Sequence, residues 1–270
     1  MVGIASYKKN LEVWKQDTYQ AWTHRFGTPQ EVVLRTWKNP TTVLHPIRQY
    51  FGPIEGKRIA NLMGSNGIKA LALTMLGADV TVFDCSPGNA RYAHELAKEA
   101  TLDIHYVVCD VLEMPKEYLC GNYDIVFAEL GVVHYFTDLK PFMDVVYRLL
   151  KPGGRFILRD FHPVSTKLIS FRGSTAKVRK YKVDGDYFDT SLEQTPVPFL
   201  KHLPADVSPQ RLNVSLRKWT LGEVVTAVAS AGLFIRILDE EPNLSSEVFD
   251  KGIPKTYCLI AEALPPAKEN

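Results

Sequence analysis

From about Gly56 to Leu158 the chain alternates β-branched runs with segments of helical length and period, and this pattern narrows the fold more than any other feature. "KRIANLMG", "DVTVFDCS", "IHYVVCD" and "YDIVFAEL" read as strands, and "PGGRFILRDF" reads as a turn and a fifth strand. "GIKALALTMLGA", "PGNARYAHELAKEA" and "LKPFMDVVYRLLK" read as helices. Gly77 suits the end of the first helix and Pro87 the start of the second. Strands separated by helices of this length pair in parallel, which predicts an α/β, doubly wound sheet.

The flanks differ. Residues 1–55, with "LEVWKQDTYQAWTHRFGTPQEVVLRTW", are helical in composition and rich in aromatics. They precede the first strand, so they are expected to form a helical cap outside the sheet. The cofactor-binding core is expected over 56–163 and an insertion or lid over 164–218. Within the insertion, "FRGSTAKVRKYKVDGDYFDT" alternates around an Asp-Gly turn and predicts a hairpin. A closing helix ("TLGEVVTAVASAGL", stopped by Gly232) and two strands ("FIRILDEEP", "TYCLIAEAL") are expected over 219–265, all within one domain.

Charge and cysteines limit the function classes. The 32 basic and 30 acidic residues leave a formal net charge of +2, unlike the basic footprint of a general nucleic-acid or membrane-surface binder. Cys85, Cys109, Cys120 and Cys258 form no CxxC pair, so neither a zinc site nor a redox dithiol is indicated, and free thiols fit a reducing compartment. The N-terminus lacks the apolar core of a signal peptide, and no apolar run reaches the roughly 18 residues of a membrane span. The expectation is a cytoplasmic protein whose partner is a small molecule, with no metal; a homodimer is one option for its assembly.

Three strand ends carry the chemistry. Gly64 and Gly67 bracket Ser65 and Asn66 between the first strand and its helix, where a glycine turn admits a ligand close to the backbone. The free N–H groups and positive dipole end of the helix favour an anionic group there. Plain architecture is the competing reading of such a turn. Asp84 ends the second strand, 20 residues after Gly64, where a carboxylate can hold a ribose diol. Its competing reading is a helix cap, a task that Ser86 can also perform. Asp110 ends the third strand, placed to accept from an exocyclic amine while the next backbone N–H reads a ring nitrogen. The loop lacks G-x-G-x-x-G, which disfavours a dinucleotide pyrophosphate site.

Taken together, the glycine loop, Asp84, Asp110, "YDIVFAELGVVHYF" and "LLKPGGRFILRDFHP" resemble the class I S-adenosylmethionine-dependent methyltransferases, of Rossmann-like fold and small-molecule type. The resemblance covers about Lys57 to Pro163 and resumes at "KWTLGEVVTAVASAGLFIRILDEEPN". It implies a seven-stranded, mostly parallel sheet whose last strand, "TYCLIAEAL", is antiparallel, and S-adenosyl-L-methionine as cofactor. It implies that Asn61, Gly64, Ser65, Asn66 and Gly67 surround the methionine moiety. Asp84, with Cys85 and Ser86 beside it, would bind ribose, Asp110 and Val111 adenine, and Glu129 and Leu130 would lie where donor meets acceptor. Asn61 stands where most members carry Asp or Glu, and Met63 where they carry Gly.

The acceptor side is less constrained. The chain lacks the Asn/Asp-Pro-Pro-aromatic motif after the fourth strand and the Pro-Cys nucleophile of nucleic-acid methylating enzymes, and its layout is closer to small-molecule enzymes. His134, Tyr135, Asp160 and His162 fall at or past the ends of strands four and five, the rim where such sheets bind ligands. His134 and His162 are the candidate bases, against a reading in which each only bonds backbone. Trp14, Tyr19 and Trp22 form a helical stripe, read either as core or as a lid against the sulfonium or a flat substrate. Arg172, Lys177, Arg179 and Lys180 could face an anionic substrate or only solvent. The alternatives to a methyltransferase acting on a small molecule are a non-catalytic cofactor-binding protein, a nicotinamide-dependent oxidoreductase, and an RNA or protein methyltransferase.

Overall fold

In a computed structural model, which describes residues 2–171, 181–205, 212–242 and 252–264, the predicted alternation is realised almost segment for segment. Five helices come first: α1 (Val2–Trp14), α2 (Tyr19–Phe26), α3 (Pro29–Lys38) and the short α4 (Pro40–Val43) and α5 (Arg48–Phe51). Thr28 caps α3 with a reciprocal capping box to Glu31, satisfying two otherwise orphaned N–H groups. Then follow β1 (Arg58–Leu62), α6 (Ile68–Met75), β2 (Asp79–Asp84), α7 (Pro87–Ala100), β3 (His105–Val108), β4 (Tyr123–Glu129), α8 (Lys140–Leu149) and β5 (Leu150–Phe161). The insertion supplies two antiparallel pairs, β6 (Ile169–Phe171) with β7 (Tyr181–Val183), and β8 (Leu192–Pro196) with β9 (Asn213–Arg217). The chain closes with α9 (Leu221–Ser230), β10 (Leu233–Pro242) and β11 (Pro254–Ala263).

The main sheet has seven strands in the order β10-β11-β5-β4-β1-β2-β3. The β1–β2, β1–β4, β2–β3 and β4–β5 pairs are parallel, and β11 runs antiparallel to both β5 and β10. That is the predicted doubly wound sheet with its antiparallel final strand. One boundary differs. The fifth strand begins at Leu150, ahead of the Pro-Gly-Gly turn, because Leu150 already pairs with Tyr123 across a register irregularity.

The sheet is covered on both faces, which explains why its strands are runs of apolar residues rather than alternating ones. Ile59, Val80, Val82, Ile125, Phe127 and Ile157 pack on one face, against α6, α7 and the N-terminal cap. Ala60, Leu62, Phe83, Val126, Phe156 and Leu158 pack on the other, with α8 and α9. No helix among the described residues is long and apolar enough to cross a membrane. The basic run Arg172, Lys177, Arg179 and Lys180 lies outside the described residues.

Candidate active site

The C-terminal ends of β1 to β5 open into a cavity of about 530 Å³, within the usual size range of ligand pockets. Its floor is the strand ends, through Met63, Ser65, Asp84, Cys85, Cys109 and Glu129. Its roof is the cap, through Tyr7, Leu11 and Trp14 of α1 and Trp22 of α2. Spacings of four and three along α1 put those first three side chains on one helical face. The insertion closes the remaining side through Glu193, Pro198 and Lys201.

The glycine loop is a tight fit. Met63, Ser65 and Gly67 all have positive φ, at 48°, 52° and 77°, so two side chains occupy a conformation that glycine adopts more readily. Gly64 is needed for space: a Cβ there would lie 2.5 Å from Asn61 Oδ1. A Cβ on Gly67 would lie 2.5 Å from that of Ala93, so this glycine lets α7 approach the loop. Asn66 Oδ1 accepts from Ile68 N, the first residue of α6, at 3.2 Å. The loop presents the Ser65 and Met63 edge to the cavity.

Asn61 does not reach the cavity. Its side chain is buried under Gly64, its Nδ2 lies 3.4 Å from Phe127 O, and its Oδ1 has no partner. A carboxylate in that enclosed position would be costly, so the amide fits the packing. The charge at this end of the cavity comes instead from Glu129, which pairs with Lys69 at 2.6 Å and Arg159 at 3.2 Å.

Asp84 is the focus of the inner end. It is 7% exposed and lines the cavity. Its Oδ1 accepts from Ser86 N at 2.9 Å and Asn89 Nδ2 at 3.1 Å, and its Oδ2 from Ser65 N at 3.1 Å. Burial pushes its carboxyl above the ordinary value, against the pull of these donors. Ser86 takes the capping role, its Oγ accepting from Asn89 N at 3.2 Å, so that Asp84 meets α7 through the Asn89 side chain and not through a helix backbone N–H. Asn89 in turn accepts from Trp22 Nε1 at 2.6 Å and Thr18 Oγ1 at 2.7 Å, wiring the cap to the acid.

Asp110 is already engaged. It accepts from the Tyr7 hydroxyl of α1 and from Leu112 N at 2.9 Å, while Val111 and Cys109 line the cavity. Burial, then the bond to Asp110, raises the Tyr7 hydroxyl far above its usual range. Burial likewise pushes the Cys109 thiol up to about 12, which leaves it unreactive as a nucleophile.

The two histidines separate. His134 lies on the cavity wall, buried, in the turn after β4. Its Nδ1 sits 2.8 Å from Arg217 O, and since a carbonyl only accepts, Nδ1 carries the proton. Nε2 then holds a lone pair, has no hydrogen-bond partner, and lies 3.7 Å from Asp160 Oδ1. Asp160 is fully buried and held by the N–H groups of Gly131, Val133 and Phe161. His162, by contrast, does not line the cavity. Its Nε2 is 2.6 Å from Glu240 and its Nδ1 accepts from Val164 N at 3.1 Å, so both ring nitrogens are spent. It is removed from the candidate bases.

The aromatic stripe also divides. Trp14 and Trp22 line the cavity, whereas Tyr19 faces α7, donating to Glu95 beneath the Arg91 guanidinium. Sequence reasoning missed Tyr7, Leu11 and Asn89. Asn89 carried one legible signal, its place three residues after the helix cap Ser86. The contact of Tyr7 with Asp110 joins residues 103 apart and left none.

The donor set suits an adenosyl cofactor: a buried carboxylate for a diol, a loop of exposed backbone, and flat apolar walls. Comparison with known proteins agrees. A family model described as "Methyltransferase domain" matches residues 63–158. The chain is 25% identical over 150 residues to a ubiquinone biosynthesis O-methyltransferase of Bordetella avium, covering 54% of this chain and 59% of that one. It is 31% identical over 109 residues to a demethylmenaquinone methyltransferase of Thermus thermophilus, covering 40% and 48%. The chain thus spans about half the length of these curated relatives. In fold it is similar to a putative S-adenosylmethionine dependent methyltransferase from Listeria monocytogenes, with TM-score 0.62, 20% identity, and coverage of 81% of this chain and 96% of that one. Strand order, cavity and matched segment coincide: the chain has a class I, Rossmann-like methyltransferase fold, and its residues 63–158 match a methyltransferase domain.

Proposed function

We propose that the chain transfers a methyl group to a small molecule held between the aromatic roof and the ends of β4 and β5. The observation that carries this reading is that Asp84 and His134, whose buried Nε2 has no hydrogen-bond partner among the described residues, line the same cavity. When bound, the cofactor supplies an electrophilic methyl group. Asp84 orients it through the ribose, and the Cys109–Val111 edge and the Ser65 edge fix its two ends. Trp14, Tyr135 and Leu11 exclude water, and such fixed orientation can by itself remove roughly 7–11 kcal/mol of barrier. His134 receives the proton of the acceptor's nucleophile at Nε2. The Asp160 carboxylate, 3.7 Å away, stabilises the imidazolium that forms. Glu129, balanced by Lys69 and Arg159, takes the place of the carboxylate missing at Asn61 in facing the cofactor's ammonium.

A screen of hydroxylated and aminated small molecules with S-adenosylmethionine, read as S-adenosylhomocysteine released, tests the reading. Turnover with at least one acceptor is expected, with a kcat loss of about 100-fold in His134→Gln, the usual order for a general base. Cofactor binding without turnover on any acceptor would favour a non-catalytic binding protein. An unchanged kcat in His134→Gln would remove the base and leave positioning alone.

A further inference from the structure

The solvent-exposed part of the cavity lining carries basic groups. Arg25 of α2 and Lys201 of the turn at 198–202 both line it, and both are exposed to solvent. Arg25 Nη1 does not meet a carboxylate; it lies 2.6 Å from His202 Nε2, which must accept and is therefore the unprotonated nitrogen. His24 Nδ1 lies 3.1 Å from His202 O, and the Trp22 ring packs 6.1 Å from that of His202. Burial, then the charges of Arg25, Lys201 and His24, push the His202 imidazole down to about 4. The third cation of the wall is different, since Lys218 is neutralised by Glu193 at 2.7 Å. Neither Arg25 nor Lys201 has an ion-pair partner among the described residues.

We infer that Arg25 and Lys201 form a subsite for an anionic group, a carboxylate or phosphate, on a flat apolar acceptor lying against Trp14 and Trp22. The substrate class is thereby an aromatic or extended apolar acid, bound with its charge at the mouth and its nucleophile toward His134. The two cations come from the cap and from the insertion, so one anion bridges the two elements that close the site. The orientation toward His134 rests on the methyltransferase reading; the anion subsite rests on Arg25, Lys201 and the cavity alone.

Titration calorimetry with 2-naphthoate, its neutral isostere 2-naphthamide and 2-naphthyl phosphate, in low salt, tests the subsite on the full chain with and without S-adenosylhomocysteine. The carboxylate is expected to bind at least about 10-fold more tightly than the amide, and the ratio is expected to fall to about 2-fold or less in the Arg25→Gln, Lys201→Gln double variant. A phosphate tighter than the carboxylate would assign the subsite to phosphate esters; the reverse would assign it to acids. Equal binding of carboxylate and amide to the parent, or a preference that survives in the double variant, would overturn the inference. S-adenosylhomocysteine serves as the separate readout. Its affinity should change by no more than about 2-fold in the double variant, since neither Arg25 nor Lys201 bonds Asp84, Ser65 or Asp110. Failure of the parent to bind it would sink the methyltransferase reading while leaving the anion ratio to decide the subsite.

Discussion

Replacing Asp84 by Asn should separate stability from cofactor binding. Asn preserves shape but keeps only one accepting oxygen. With that oxygen left toward Ser86 N and Asn89 Nδ2, the new amide faces Ser65 N, 3.1 Å from the position of the lost Oδ2. An N–H left without an acceptor costs about 1–3 kcal/mol. Loss of the charge works the other way. Burial raises the Asp84 carboxyl, so the folded chain holds that proton more tightly than the unfolded chain. Stability therefore falls as pH rises from the ordinary value of 3.8 through the raised folded value. The variant escapes that loss. The two effects oppose each other, and the net change in unfolding free energy at neutral pH should lie within about 2 kcal/mol of the parent. Binding has no such compensation. A hydrogen bond to a charged acceptor contributes about 1.5–3 kcal/mol, so losing one from the ribose should weaken S-adenosylhomocysteine binding about 10- to 100-fold. Denaturant unfolding and titration calorimetry on the same preparations measure both. A folded Asp84→Asn protein binding within about 2-fold of the parent would show that Asp84 does not hold the ribose.

Three further outcomes follow from the geometry. Gly67→Ala places a methyl group 2.5 Å from Ala93 Cβ at a φ of 77°, and should cost more than about 1 kcal/mol by thermal unfolding. A loss under about 0.3 kcal/mol would mean that α7 can move away from the loop. Tyr7→Phe removes the cap's bond to Asp110 and should lower stability by about 1–3 kcal/mol, with α1 becoming the first site of limited proteolysis. An unchanged digestion pattern would contradict its role in closing the roof. The imidazole of His202 is depressed from 6.5 to about 4, so the folded chain sheds a proton the unfolded chain keeps, and stability present above pH 6.5 is lost as pH falls toward 4. His202→Gln should flatten that slope in a pH series of melting temperatures, and identical slopes would rule His202 out as its source.

The sheet was legible because its central parallel strands, β1, β2 and β4, are buried on both faces. "RIANL" and "DVTVFD" are buried from their second residue onward, in short apolar and β-branched stretches interrupted inside only by Asn61 and Thr81, and glycine or proline lies near their ends. Asp84 was legible because its distance from the glycine loop is fixed by one strand–helix–strand unit. What escaped depends on side chains far apart in sequence. His134 and His162 occupy equivalent-looking rim positions, yet Glu240 of β10 engages one, and the Nε2 of the other has no hydrogen-bond partner among the described residues. Asn61 looked like a departure within the site, but it lies beneath the loop, and Glu129 from the neighbouring strand carries the charge. The cap was predicted only as helices. That its Tyr7 meets Asp110, and its Trp22 reaches Asp84 through Asn89, follows from how α1 and α2 cross the strand ends, which local periodicity does not encode.

The central claim is that the ends of β1 to β4 hold the cofactor with Asp84 as its ribose anchor. A crystal structure of the chain with S-adenosylhomocysteine tests it directly. The account predicts the ribose hydroxyls within hydrogen-bond distance of Asp84, the adenine along the Cys109–Val111 edge, and the sulfur facing the His134 wall. Ligand density outside this cavity, or inside it with Asp84 contacting no ribose oxygen, would contradict the account.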